Sequence, residues 1–175
     1  MKIFISCSSS EEISDEYKIV TKYLAEKLSK DNDLVFGSVN RGLMGICYHE
    51  FLKNNRNIIG ICYEMYKDEI KDLKLDEVYM VNTLEESNRV LQQKSDIIIV
   101  LPGSYGTLSE FINILEEKRT KLHDKEIILF NINGFYNDMI NMFSKIYNNI
   151  SPKYDFNSLC KVFNTVDDII KYINQ

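Results

Sequence analysis

The sequence predicts an α/β fold, a doubly wound parallel sheet in a three-layer αβα sandwich, and three observations carry that prediction. First, Asp96 to Glu110 (DIIIVLPGSYGTLSE) reads as a buried strand, a glycine-bearing turn and an amphipathic helix. Ile97 to Leu101 is an unbroken apolar run, too short for a helix and rich in β-branched residues, as in a strand covered on both faces. Pro102 cannot donate to a ladder, Gly103 accepts unusual backbone angles, and Leu108, Phe111, Ile112 and Leu115 then recur at helical spacing. Second, short apolar runs alternate with helical periodicities along the whole chain, the pattern of consecutive strand–helix units. Third, 175 residues suit one domain, residues 1–175, that buries roughly two-thirds of its unfolded surface.

The elements follow in order. Lys2 to Ser6 (KIFIS) is a first strand, breaking into the polar turn Cys7, Ser8, Ser9, Ser10. Tyr17, Val20, Leu24 and Leu28 mark a helix with Ser14 as N-cap and Asp15 and Glu16 in its first turn, where the dipole favours them. Leu34 to Phe36 is a second strand, and Gly37 to Gly42 leads to a buried helix over Leu43–Leu52. Ile58 to Cys62 and Val78 to Val81 are further strands, separated by a charged stretch, Glu64 to Lys74, without clear periodicity. Thr83 opens a helix carrying Leu84, Arg89 and Leu91. Beyond the central stretch come a strand over Glu126–Ile132, a helix marked by Phe135, Met139, Met142, Phe143 and Ile146, a short strand near Val162 and a last helix over Val166–Ile173. Right-handed crossovers bring Cys7–Ser10, Gly37–Gly42 and Pro102–Thr107 to one rim of the sheet.

Composition narrows the function. A formal charge of -5 argues against a nucleic-acid partner. The four cysteines stand apart with no CxxC pair and sit in or beside apolar runs, which predicts buried free thiols in a reducing cytoplasm. His49 and His123 are the only histidines, and neither has a second ligand at metal-site spacing, so no metal is expected. No leader precedes the first strand and no apolar run approaches the ~18 residues of a membrane span, so no membrane partner is expected.

Ligands of open α/β sheets gather at the carboxyl ends of strands, and free N–H groups at a helix start attract phosphate. Ser104, Tyr105, Gly106 and Thr107 form such a start. Thr107 and Glu110 have the spacing of a capping box, in which Glu110 returns to its own helix start. Thr83 and Glu86 repeat that spacing, and capping is the commoner outcome. The alternative is that Glu110 faces a bound sugar, where a carboxylate stabilises an oxocarbenium-like centre or activates water. Arg41, in the glycine-bearing segment GSVNRGLMG, meets a phosphate or is simply solvated. The Ser8–Ser10 turn is a polar loop or a contact to ribose or phosphate.

Two of these segments carry a resemblance. PGSYGTLSE is similar to the PGGxGTxxE motif of the LOG ("lonely guy") family, and NRGLMG is similar to that family's GLMG segment. The resemblance implies a Rossmann-like homodimer that cleaves the N-glycosidic bond of a cytokinin riboside 5′-monophosphate, giving free base and ribose 5-phosphate without metal or cofactor. Some relatives are labelled lysine decarboxylases, but no residue here is marked as a pyridoxal-binding lysine. Carried over by position, Gly103, Gly106 and Thr107 hold phosphate, with Ser104 and Tyr105 in the same turn, and Glu110 is the catalytic carboxylate. Gly42, Met44 and Gly45 form the other side of a nucleotide cleft, with Ser8, Ser9 and Arg41 nearby.

The departures are specific. Ser104 replaces a motif glycine, and Ser38 and Val39 stand where glycines follow Gly37 in the family. The family's arginine falls on Ser87, followed by Asn88, both placed in the nucleotide site. Arg89, two residues on and about 200° around a helix, is the candidate to take over the arginine's catalytic role. Losing that cation removes transition-state stabilisation on the order of a few kcal/mol. The expected function is therefore a nucleoside 5′-monophosphate N-glycosidase, with a nucleotide-binding sensor or regulatory module of the same fold as the alternative.

Overall fold

The computed structural model describes residues 1–175. Its strands are β1 (Lys2–Ser6), β2 (Asp33–Phe36), β3 (Ile58–Tyr63), β4 (Glu77–Val81), β5 (Ile97–Val100), β6 (Glu126–Phe130) and β7 (Lys161–Phe163). The helices are α1 (Asp15–Leu28), α2 (Gly42–Lys53), α3 (Leu84–Lys94), α4 (Tyr105–Arg119), α5 (Asn137–Asn149), α6 (Phe156–Leu159) and α7 (Val166–Ile173). Every strand pair is parallel and the order is β4-β3-β2-β1-β5-β6-β7. The doubly wound sheet read from the sequence is the architecture found.

The reason lies in the central strands. Ile97, Ile99 and Leu101 pack with Ile3 and Ile5 under α1, α2 and α7, while Ile98 and Val100 join Phe4 under Leu91 of α3 and Phe111 and Ile114 of α4. A strand buried on both faces needs apolar residues at successive positions, and each such side chain contributes about 1.5–3 kcal/mol of transfer free energy. The chain winds outward from β1 through β2 and β3 to β4, then crosses to β5 on the other side of β1. That reversal makes the β1–β5 junction the topological switch point, where a crevice opens at the strand ends.

The charged stretch 64–74 resolves into a 3₁₀ turn, Glu64–Tyr66, followed by further turns. Phe135 lies before α5, because the chain first makes a 3₁₀ turn at Ile132–Gly134, with Asn133 at φ 51°. The four-residue α6 was not anticipated. Ser14 occupies the N-cap of α1, yet its hydroxyl makes no capping bond. All four cysteines are buried and unpaired. No helix is long and apolar enough to cross a membrane.

One buried group ties the far half of the sheet to the switch point. Tyr136 donates its phenol O–H to the Leu101 carbonyl at 2.7 Å, just beneath the Pro102–Gly103 turn. Its own amide donates to Asn131 Oδ1 at 2.7 Å, and Asn131 in turn donates to Asn137 and Asn164. Tyr136→Phe strips a buried carbonyl of its partner, so urea unfolding should show a loss of about 1–3 kcal/mol.

Candidate active site

At the switch point β1 and β5 are in register, Ser6 opposite Val100. The pairing continues one step past the strands, with Leu101 N–H on the Ser6 carbonyl at 2.9 Å and Ser8 N–H on the Pro102 carbonyl at 3.1 Å. The chain then turns through Gly103 into α4. A Cβ at Gly103 would lie 2.1 Å from Thr107 Oγ1, so the turn closes onto Thr107 only because residue 103 has no side chain. At Gly106, by contrast, a Cβ meets nothing within 4 Å. The helix therefore faces open space at its first turn.

Helix α4 starts earlier than the capping reading requires. Ser104 is its N-cap, in extended conformation, and makes no side-chain capping bond. Thr107 is already the third helical residue, and Glu110 lies too deep to return to the helix start. Its carboxylate instead accepts a hydrogen bond from Ser6 Oγ at the end of β1. The identical spacing at Thr83 does give a cap: Glu86 N–H donates to Thr83 Oγ1 at 3.1 Å, and Asn82 N–H donates to Glu86 Oε2 at 2.9 Å. The capping-box reading of Thr107 and Glu110 is thus corrected, and the register of the helix start is the reason.

The amides of Tyr105, Gly106 and Thr107 have no partner within the helix. The start of α2, at the same rim, differs. In α2 the Leu43 and Met44 amides donate to the Ser8 carbonyl, at 2.9 and 3.3 Å. The free donors and the dipole at α4 favour an anion there.

Beside this helix start lies a cleft of about 320 Å³ that brings together Glu110, Ser87, Ser9, Arg41 and Met44. Tyr63, Tyr66 and Glu69 form a further wall of it, and Gly37, Ser38 and Val39 also line it. Glu110 is recessed, and the loss of water pushes its carboxyl up to about 7, against the opposing pull of the Ser6 hydrogen bond. Arg41 is the one cation lining the cleft, and it pairs with Glu69 at 3.8 Å across the mouth.

Other sequence candidates sit elsewhere or do other work. Arg89 is exposed on the far side of α3, in a shallow depression with Glu85, Glu86, Asn113 and Glu117, so the structure does not bring it to Glu110. The helical rotation from Ser87 is the cause. Asn88 is buried, with Oδ1 unpartnered, and does not line the cleft. Tyr105 is 90% exposed. Ser8 is buried and braces the rim, its Oγ accepting from the Ser10 amide at 3.1 Å. Gly42 has φ +59°, and a Cβ there would lie 2.6 Å from the Ser10 carbonyl oxygen. Gly45 likewise abuts Asn40, so both glycines serve close packing of α2 against the rim loops. Ser38, at φ 57°, takes the left-handed conformation that glycine adopts without strain.

Sequence reasoning passed over Ser6, Tyr63, Tyr66, Glu69 and Tyr136. Ser6 carried a signal: it is the polar residue ending a strand otherwise apolar after Lys2, and it is fully buried. The Tyr63–Glu69 wall had none, because it is built from turns without periodicity.

Three stability experiments follow from this geometry. Gly103→Ala should destabilise by about 1–3 kcal/mol in urea unfolding, because Thr107 blocks the new methyl. Gly106→Ala should leave stability unchanged or raise it by about 0.5–1 kcal/mol, since the helix gains propensity in open space. For Glu110, the raised folded value means the native state keeps a proton that the unfolded chain releases between pH 4.5 and about 7. Stability therefore falls as pH rises through that window. Glu110→Gln should be more stable than wild type at pH 8, on the order of 2 kcal/mol, with the gain vanishing near pH 4.

Comparison with known proteins identifies the lineage. Residues 44–173 match the family model described as "Possible lysine decarboxylase". A cytokinin riboside 5′-monophosphate phosphoribohydrolase of Arabidopsis thaliana is 31% identical over 146 residues, covering 82% of this chain and 68% of that protein. A probable enzyme of the same name from Oryza sativa subsp. japonica is 30% identical, and the chain spans 58% of its length. Among solved structures, the molybdenum cofactor carrier protein of Chlamydomonas reinhardtii superposes with a TM-score of 0.75 at 15% identity, covering 99% of this chain and 96% of that one. The molybdenum cofactor binding protein of Rippkaea orientalis gives 0.70 at 19% identity, covering 99% and 94%. These last two show the shared fold alone. With the family model matching most of the chain and the Arabidopsis relative 31% identical over 82% of it, the chain belongs to the LOG family.

Proposed function

We propose that this chain is a nucleoside 5′-monophosphate phosphoribohydrolase, acting through one nucleotide-binding domain over residues 1–175. The observation that carries the proposal is Glu110, a recessed carboxylate in the switch-point cleft, one helical turn beyond uncapped amides that suit a phosphate. The names of the family relatives supply the reaction class.

In this mechanism the 5′-phosphate rests on the amides of Tyr105, Gly106 and Thr107, and the ribose lies over Glu110. The base lies between Met44 and the Tyr63–Tyr66 wall. As the C1′–N bond breaks, its electron pair leaves with the base and positive charge develops on C1′ and the ring oxygen. The ionised Glu110 stabilises that charge, and water adds to C1′ to give ribose 5-phosphate, with a proton returned to the base. The reaction as drawn uses no metal or cofactor. Following the resemblance, we also propose a homodimer, and the buried thiols suit a reducing cytoplasm.

A binding module without turnover is the second reading. It is favoured by the charge of the cleft, where Arg41 is the lone cation and is held by Glu69, with Ser87 beside Glu110. Incubation with AMP, CMP and a cytokinin riboside 5′-monophosphate, followed by assay of ribose 5-phosphate, separates the two. Saturable binding without base release would select the module. For the enzyme, kcat/KM should rise through about pH 7 as Glu110 ionises, and Glu110→Gln should cut kcat by at least about 100-fold while nucleotide binding persists.

A further inference from the structure

The hydroxyl of Ser6 touches the Glu110 carboxylate and makes no other hydrogen bond. Ser6 is the last residue of β1, held by ladder pairing to Val100 on one side and followed by the bond from Leu101 N–H to its own carbonyl. Its side chain lies on the sheet face shared with Phe4, the face that α4 covers. The donor is therefore mounted on a central strand paired on both sides, while Glu110 carries a longer side chain at the edge of a cavity.

We propose that Ser6 is the positioning residue of the Glu110 carboxylate: its hydroxyl fixes that group at the lining of the cleft. The proposal rests on the function assigned to Glu110 above. A carboxylate in a recess has two alternatives to productive ionisation, rotation out to water or protonation, and a fixed donor opposes both.

The surroundings offer no rival for this role. From β1, the Cys7 thiol is buried with Cys47 of α2 on the opposite sheet face, and burial first, then the Cys47 thiol and the Glu110 carboxylate, push it upward. From the start of α2 comes Arg41, engaged with Glu69 at the mouth. From the β3 side come Cys62, Tyr63 and Tyr66, and α3 contributes Ser87, which does not titrate. Burial drives the Glu110 carboxyl upward, and the Ser6 bond is what pulls it back.

The test uses the full chain as wild type, Ser6→Ala, Ser6→Thr and Glu110→Gln. Carbon-13 NMR follows the Glu110 carboxyl through its titration, the Glu110→Gln spectrum giving the assignment, and AMP is the substrate for pH–rate profiles. In Ser6→Ala the Glu110 midpoint and the acidic limb of kcat/KM should move up together by about one pH unit, a roughly tenfold loss of kcat at pH 6 with KM within about twofold. Ser6→Thr, which keeps the hydroxyl, should restore both. An unmoved midpoint in Ser6→Ala, or an equal loss of rate at every pH, would overturn the proposal. Should Ser6→Ala fail to fold, Ser6→Cys replaces it with a weak donor, and the same shift or its absence decides. Base release undiminished in Glu110→Gln would sink the function assigned above, and the NMR midpoint would still judge Ser6.

Discussion

The contact on which everything else depends is the pairing of β1 with β5. It aligns the polar end of one strand with the glycine turn at the end of the other, and the reversal of winding there opens the crevice. The extra rungs, Leu101 N–H to the Ser6 carbonyl and Ser8 N–H to the Pro102 carbonyl, carry the register out to the rim. Without them Glu110 would have no fixed strand end to meet, and the first turn of α4 would have no defined direction. Tyr136 secures the same junction from beneath through the Leu101 carbonyl.

The rim uses its helix ends in opposite ways. The amides of α2 are spent on the Ser8 carbonyl, which locks the β1–α1 loop against the GLMG segment. Those of α4 are left facing solvent, with Ser104 making no capping bond and open space in front of Gly106. Leaving a cap unmade and recessing a carboxylate both cost stability, and the two lie within one turn of the same helix.

Much of this was legible in the residues. The double-sided burial of Ile97–Val100 and the alternation of runs and stripes specified the parallel sheet, because buried strands leave little freedom in their pattern. The site was harder. T-x-x-E means a cap at Thr83 and something else at Thr107, and local spacing is blind to the difference, since the deciding fact is where the helix begins. Arg89 was misplaced for a related reason: the family's arginine position is Ser87, and a neighbour in sequence is on another face of a helix. The wall formed by Tyr63, Tyr66 and Glu69 depends on how irregular turns fold back over the β3 edge, which no periodicity records. Ser6 was visible as a polar residue where an apolar one would be ordinary, and only its partner was hidden.

The winding order also bears on how the chain acquires its shape. The first strand of this chain is the centre of the finished sheet, yet its neighbour on one side is not synthesised until residues 97–100. Until then β1, with Ile3, Phe4 and Ile5, presents an open edge on the nascent chain, and both helical layers over it still lack helices that come later, α7 on one face and α4 on the other. Such long-range parallel pairing gives a high contact order and slow closure. A segment open to mispairing during synthesis is thus the same one that later anchors the rim beside Glu110.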